Sequence, residues 1–243
     1  MTAFTAVELD HAGTRLTGQA AAPSGPSAGS APAPAVMIIH NALGLGNHVR
    51  EVAQKLAALG YFAVAIDMYG GGAPVGDPQV AGANYEAVMK DPMLKRGRVN
   101  AWFDRIAAMP QVQANRIAAI GYCFGGACVL DLARGGSSAR AVVSFHGILA
   151  TADPMQAGGF AGEVHAYCGA NDPYAPLAQI EGLRAEMAGA GVKHTITIFG
   201  EAAHGFTDPA ADAMGREGIA YDAMADRISW AGTVALLEGV LGE

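Results

Sequence analysis

Hydrophobic and polar positions along this 243-residue chain fall into short blocks whose period switches between two and about 3.6. Phe4–Leu9 and Thr14–Ala20 flank a turn at His11-Ala12-Gly13 and predict two short strands. From Ala21 to Pro34 the chain is low-complexity Ala, Pro, Ser and Gly, which predicts a flexible surface loop. The segment before it is too short for a domain, so the loop belongs inside one fold covering residues 1–243. Beyond it, apolar runs at Ala35–His40, Phe62–Asp67, Arg116–Ile120, Ala141–Phe145, Glu163–Cys168 and Thr195–Phe199 predict buried strands. Between them, helical periodicity marks Val49–Leu59 (closed by Gly60), the helix-like run Ala127–Leu132, Leu177–Ala190 and Met214–Leu241. Met68–Met109 is a long irregular and helical stretch, with a turn at Gly70-Gly71-Gly72. Strands that alternate with helices predict an α/β fold with a mostly parallel sheet covered on both faces and the first two strands as an antiparallel edge.

Composition narrows the class. Hydrophobic residues make up 51%, enough for a sizeable core. A net charge of −7, without a dense basic cluster, speaks against a nucleic-acid partner. Three cysteines without C-x-x-C spacing suggest neither a disulfide framework nor a zinc site. The N-terminal residues lack a signal-peptide pattern, and no apolar run reaches membrane-spanning length. The expectation is a cytoplasmic protein with no membrane partner.

The densest chemical signal is Gly121-Tyr122-Cys123-Phe124-Gly125-Gly126, directly between the strand Arg116–Ile120 and a helix. A strand–G-x-C-x-G–helix sequence is the nucleophile elbow of α/β-hydrolases, with cysteine in place of serine. The turn needs nearly bare positions two before and two after the nucleophile, and Gly121 and Gly125 supply them. A thiol at a helix N-terminus faces unpaired N–H groups and the positive end of the helix dipole, both of which favour thiolate. Asp172 follows the strand Glu163–Cys168, and His204 follows Thr195–Phe199. The order nucleophile, acid, histidine, with each at the carboxyl end of a strand, predicts a Cys123–His204–Asp172 triad. Asp67, also at a strand end, is the rival acid.

On these motifs, together with His40–Arg50, Ala65-Ile66-Asp67-Met68-Tyr69-Gly70, Ser144-Phe145-His146-Gly147 and His204-Gly205-Phe206-Thr207-Asp208-Pro209, the chain resembles the dienelactone hydrolase (carboxymethylenebutenolidase-like) family. The resemblance implies an α/β-hydrolase fold and hydrolysis of a small-molecule ester or lactone through a thioester acyl-enzyme, without metal or organic cofactor. Backbone N–H groups of Phe124, by the rule of the elbow, and of Ala42, by the resemblance, are the expected oxyanion hole. Asn41, Tyr122, His146 and Phe206 are the expected pocket residues, and a monomer or small homo-oligomer is the expected assembly.

Two positions depart from the family pattern. Asn41 stands where the family usually has a glutamate that contacts the resting thiol. Either Cys123 is ionised directly by His204, or the chain is a weakened member acting as a ligand-binding or regulatory protein. Asp208 stands where an arginine grips a substrate carboxylate, which favours a neutral ester or lactone. Lys95, Arg96 and Arg98 read as a solvated basic helix face. His40, Cys128 and Cys168 read as structural, Tyr69 and Tyr85 as packing under a lid, and His146 as either pocket-lining or structural.

Overall fold

The computed structural model describes residues 3–24, 32–72 and 77–242. Its strands are β1 (Phe4–His11), β2 (Thr14–Ala21), β3 (Ala33–Ile39), β4 (Phe62–Ile66), β5 (Val112–Tyr122), β6 (Ala141–Phe145), β7 (Glu163–Gly169) and β8 (Lys193–Phe199). The helices are α1 (Asn47–Ala58), α2 (Pro78–Met89), α3 (Pro92–Ala107), α4 (Phe124–Arg134), α5 (Leu177–Ala190) and α6 (Ala223–Leu241). The strands form one sheet in the order β1-β2-β4-β3-β5-β6-β7-β8. β1 and β2 pair antiparallel, β2 joins β4 antiparallel, and every pair from β4 through β8 is parallel.

The sheet separates two apolar layers, as strands buried on both faces require. One holds Val88, Trp102, Phe124, Leu132 and Met187 under α2 to α5; the other holds Leu56, Phe145, Tyr167 and Leu237 under α1 and α6. β3 and β5 lie side by side at the centre, so the chain leaving β5 emerges in the middle of the carboxyl edge of the sheet.

Several boundaries differ from the sequence expectation. Ala21 closes β2, and Ala33 and Pro34 open β3, so the expected 21–34 loop is shorter at both ends; residues 25–31 lie outside the described residues. β1 alone is the outer strand, with β2 one place in. Met68–Met109 contains two separate helices, each capped by an aspartate followed by proline. The Asp77 side chain accepts the Gln79 N–H at 2.8 Å, and that of Asp91 accepts the Leu94 N–H at 2.9 Å. The last helix starts at Ala223, where Asp222 accepts the N–H groups of Met224 and Ala225, rather than at Met214. The residues between form a short 3-10 turn, Ala211–Met214, and a strap with left-handed Gly215 and Gly218.

The basic face expected on α3 is not solvated. Lys95 is buried 3.1 Å from Asp131, and Asp131 also meets Arg134, which pairs with Glu186 on α5 at 2.8 Å. Arg98 is buried and donates to the carbonyl of Met68 at 2.6 Å and the hydroxyl of Thr14 at 3.1 Å. Buried cations need such partners, and here the partners are far away in sequence.

The elbow depends on bare glycines. A Cβ on Gly121 would overlap the carbonyl of Gly125; one on Gly125 would overlap the carbonyl of Ile39 and come within 2.7 Å of that of His40. Gly182, on the exposed side of α5, has no neighbour within 4 Å. Urea unfolding should therefore show Gly125→Ala losing about 3 kcal/mol or more, because rigid backbone must move. The same exchange at Gly182 should gain about 0.5–1 kcal/mol through helix propensity.

Candidate active site

Cys123 sits between β5 and α4 with φ 55° and ψ −111°, a conformation rarely adopted by residues with side chains. Its N–H donates to the Phe145 carbonyl at 3.0 Å, and its carbonyl accepts from Ala127 at 3.3 Å. The residue thus ends one ladder and starts a helix, and its half-buried thiol faces a cavity of about 570 Å³. Phe124 is the first residue of α4, so its N–H has no carbonyl within the helix to take it. Ala42, in the turn after β3, lines the same cavity, and its carbonyl accepts from the Tyr69 hydroxyl at 3.2 Å.

Asp172 and His204 lie on the loops after β7 and β8, which are stitched together. The N–H groups of Ala170 and Asn171 donate to the carbonyls of Phe199 and Ala202, at 2.9 and 3.0 Å. The strap before α6 adds a second support: His204 N–H donates to Gly218 at 2.9 Å, and Ala220 N–H to the His204 carbonyl at 3.1 Å. Buried Asp172 accepts the Tyr174 N–H on one oxygen and holds Nδ1 of His204 on the other, both at 2.8 Å.

Burial works against a charge on His204, but hydrogen bonds to Asp172 and to Cys123 outweigh it and push its pKa up to about 10. The same burial, reinforced by the nearby charge on His204, holds His146 well below its ordinary value. The two rings are edge to face at 5.1 Å. His146 lines the cavity and bonds through Nε2 to the Thr207 hydroxyl at 2.9 Å. Burial pushes the Cys168 thiol up to about 12 and that of Cys128 higher still. Both remain protonated at neutral pH, unlike a working nucleophile.

Of the other expected pocket residues, Asn41 and Tyr122 line the cavity. Asn41 Oδ1 accepts from Leu43 N–H at 2.9 Å, leaving its amide NH₂ as the free function. Phe206 does not reach the cavity. It is fully buried beneath His146, at 5.0 Å, and against Phe199, at 5.4 Å. Asp67 is not near His204 in this arrangement but organises the glycine turn, accepting N–H groups of Tyr69, Gly70 and Gly72 at 2.8–2.9 Å. His40, fully buried, donates from Nδ1 to the Asn41 carbonyl at 2.6 Å and accepts the Met68 N–H at Nε2, 3.0 Å.

Sequence reasoning missed Tyr174, whose ring packs 4.7 Å from that of His204, and the cavity-lining His48 and Arg216. Tyr174 had one available signal, its place two residues after the expected acid. His48 lay inside the motif block His40–Arg50 but carried no signal of its own, and Arg216 carried none, because it reaches the cavity from a segment without a motif. Among the described residues no cluster of His, Cys, Asp and Glu is suited to a metal ion, and no helix is long and apolar enough to cross a membrane.

A thiol on a strand-to-helix elbow, beside a histidine held by a carboxylate at the carboxyl edge of a parallel sheet, defines an α/β hydrolase. The sequence model of the dienelactone hydrolase family matches residues 17–241, and the chain belongs to that family of hydrolases acting on ester or lactone bonds. Among solved structures it is similar to m3DLH, at 35% identity and TM-score 0.89, with 98% of each chain covered. It is also similar to P91, a dienelactone hydrolase-like promiscuous phosphotriesterase from metagenomic libraries, at 34% identity, TM-score 0.91 and 99% coverage of each. A Synechocystis sp. protein provisionally named a carboxymethylenebutenolidase is 27% identical over 71% of this chain and 75% of its own.

The raised His204 value has a definite linkage sign. Its charged form contributes stability in full below the unfolded value near 6.5, and that contribution fades as pH rises toward about 10. NMR titration of His204 should find the ring protonated through pH 8 in the wild type. In Asp172→Asn, which removes the carboxylate charge, the midpoint should fall.

Proposed function

We infer that the chain is a cysteine-dependent esterase or lactonase acting on small molecules through an acyl-enzyme. The observation that carries this is the His204 ring, bonded to Asp172 at Nδ1 and to Cys123, beside a cavity that admits a small ligand. A pKa of about 10 means that His204 rests as imidazolium at neutral pH. In this reading its partner is Cys123, activated without the glutamate that the family usually places at Asn41.

In the first half-reaction the Cys123 sulfur attacks the ester carbonyl carbon, and the N–H groups of Phe124 and Ala42 receive the oxyanion. As the tetrahedral adduct collapses, the C–O bond to the leaving group breaks and His204 gives that oxygen its proton. Neutral His204 then takes a proton from water, the hydroxide attacks the thioester, and the acid leaves as the thiolate–imidazolium pair returns. Asp172 keeps the imidazole in the tautomer that presents Nε2 to the reaction. A thiolate leaves a tetrahedral adduct more readily than an amide nitrogen does, so esters and lactones suit this site better than peptides. The reading extends to a cytoplasmic protein folded as one domain.

The test is the time course of p-nitrophenyl acetate hydrolysis. Wild type should turn over continuously, and Cys123→Ala should lose about 10³-fold or more in kcat. A single stoichiometric burst that stalls would replace this reading with that of a family member that binds and is acylated but does not turn over. No Cys123-dependent signal with any ester or lactone tried would overturn the cysteine mechanism.

A further inference from the structure

The cavity at Cys123 does not end at the triad. A second groove of about 340 Å³ shares Asn41, Leu43, His48 and Asp208 with it, so these four residues form a common wall between the two spaces. The groove reaches the exposed Glu51 on α1 but contains neither Cys123 nor His204. No lysine or arginine lines it. Its full charges are the carboxylates of Asp208 and Glu51.

The polar groups at this junction are left available. Asp208 spends one oxygen on the Ala210 N–H at 2.9 Å, and its other oxygen has no hydrogen-bond partner among the described residues. Neither Asp208 nor Glu51 has an ion-pair partner among the described residues. His48, packed edge-on against Tyr122 at 4.5 Å, keeps a buried Nδ1 without a partner. Burial lowers the His48 pKa, so the ring contributes no standing positive charge at neutral pH. The start of α1 opens on the groove too, but a helix terminus amounts to only about half a positive charge, against two full carboxylates.

We propose that this groove is a subsite for the remote end of the substrate, and that it takes a cationic, ammonium-type group. The assignment rests on the esterase reading above and refines it. The ester carbonyl sits at Cys123, the chain of the substrate passes the wall of Asn41, His48 and Asp208, and its cation lies between Asp208 and Glu51. The alternative anchor is Arg216, the cation on the rim of the Cys123 cavity, which would select a carboxylate.

The experiment compares p-nitrophenyl esters of straight-chain acids ending in trimethylammonium, in tert-butyl and in carboxylate, over a series of chain lengths. At low salt the ammonium ester should have kcat/KM about tenfold above the tert-butyl ester at the best length, with the carboxylate ester lowest. Ratios are read within each variant, so that changes in folding or overall rate cancel. In Asp208→Asn, which keeps the bond to Ala210, the ammonium advantage should fall to about twofold. Glu51→Gln, on an exposed helix position, should reduce it as well and guards against a folding defect at Asp208. Turnover of all three esters without ranking by charge, or a carboxylate preference abolished by Arg216→Gln, would overturn the subsite alone. Failure of these esters and of p-nitrophenyl acetate alike would overturn the esterase reading beneath it.

Discussion

The contact on which the site depends is the approach of the elbow to the end of β3. Gly125 lies against the carbonyls of Ile39 and His40, Gly121 against Gly125, and Gly126 against Gly147 and the Ser144 side chain. With no Cβ among them, α4 starts directly beside the loop that leaves β3. Two consequences follow from one contact. Cys123 is held in its strained positive-φ conformation, and the first turn of α4, with the Phe124 N–H free of any partner within the helix, starts beside the loop that carries Ala42, two residues after His40. His40 braces that loop from behind with bonds to the Asn41 carbonyl and the Met68 N–H. Backbone proximity, rather than any one side chain, gives the site its shape.

Within that frame, two neighbouring imidazoles are driven in opposite directions. Burial disfavours charge on both His146 and His204. Only His204 has a carboxylate against it, so it gains a proton while His146, facing that charge, is held neutral. One ring is suited to proton transfer and the other to forming the wall. The division follows from Asp172 reaching one ring and not the other, and Asp172 is aimed by the loop contacts that also carry His204.

Much of this was legible in the sequence because the signals were local. The apolar run Ala141–Phe145 and the helical pattern Leu177–Ala190 match β6 and α5 in full. The residues proposed as a triad sit at strand ends that hydrophobicity marks unaided. The failures share a cause: their explanation lies far off in the chain. Lys95 and Arg98 look solvated until Asp131, Met68 and Thr14 are folded against them. Phe206 sits beside a motif histidine, yet it packs beneath His146, whose ring comes from the far side of β7, and against Phe199. The paired Asp-Pro starts of α2 and α3 were readable caps. They were obscured because neither helix has a clean apolar stripe, α3 burying charged residues along with its Trp102 and Phe103.

The strap between Gly215 and Asp222 also bears on how the molecule is made. Its bonds to His204 and the contact of Gly218 with Pro173 mean that base and acid are held together by a segment that follows both in the chain. During vectorial synthesis the elbow can close once β6 has emerged, whereas the second support of His204 forms only when the strap is out. For that interval a nascent molecule carries the elbow thiol before His204 is fully held in place. Completion of the site thus waits on the final fifth of the chain.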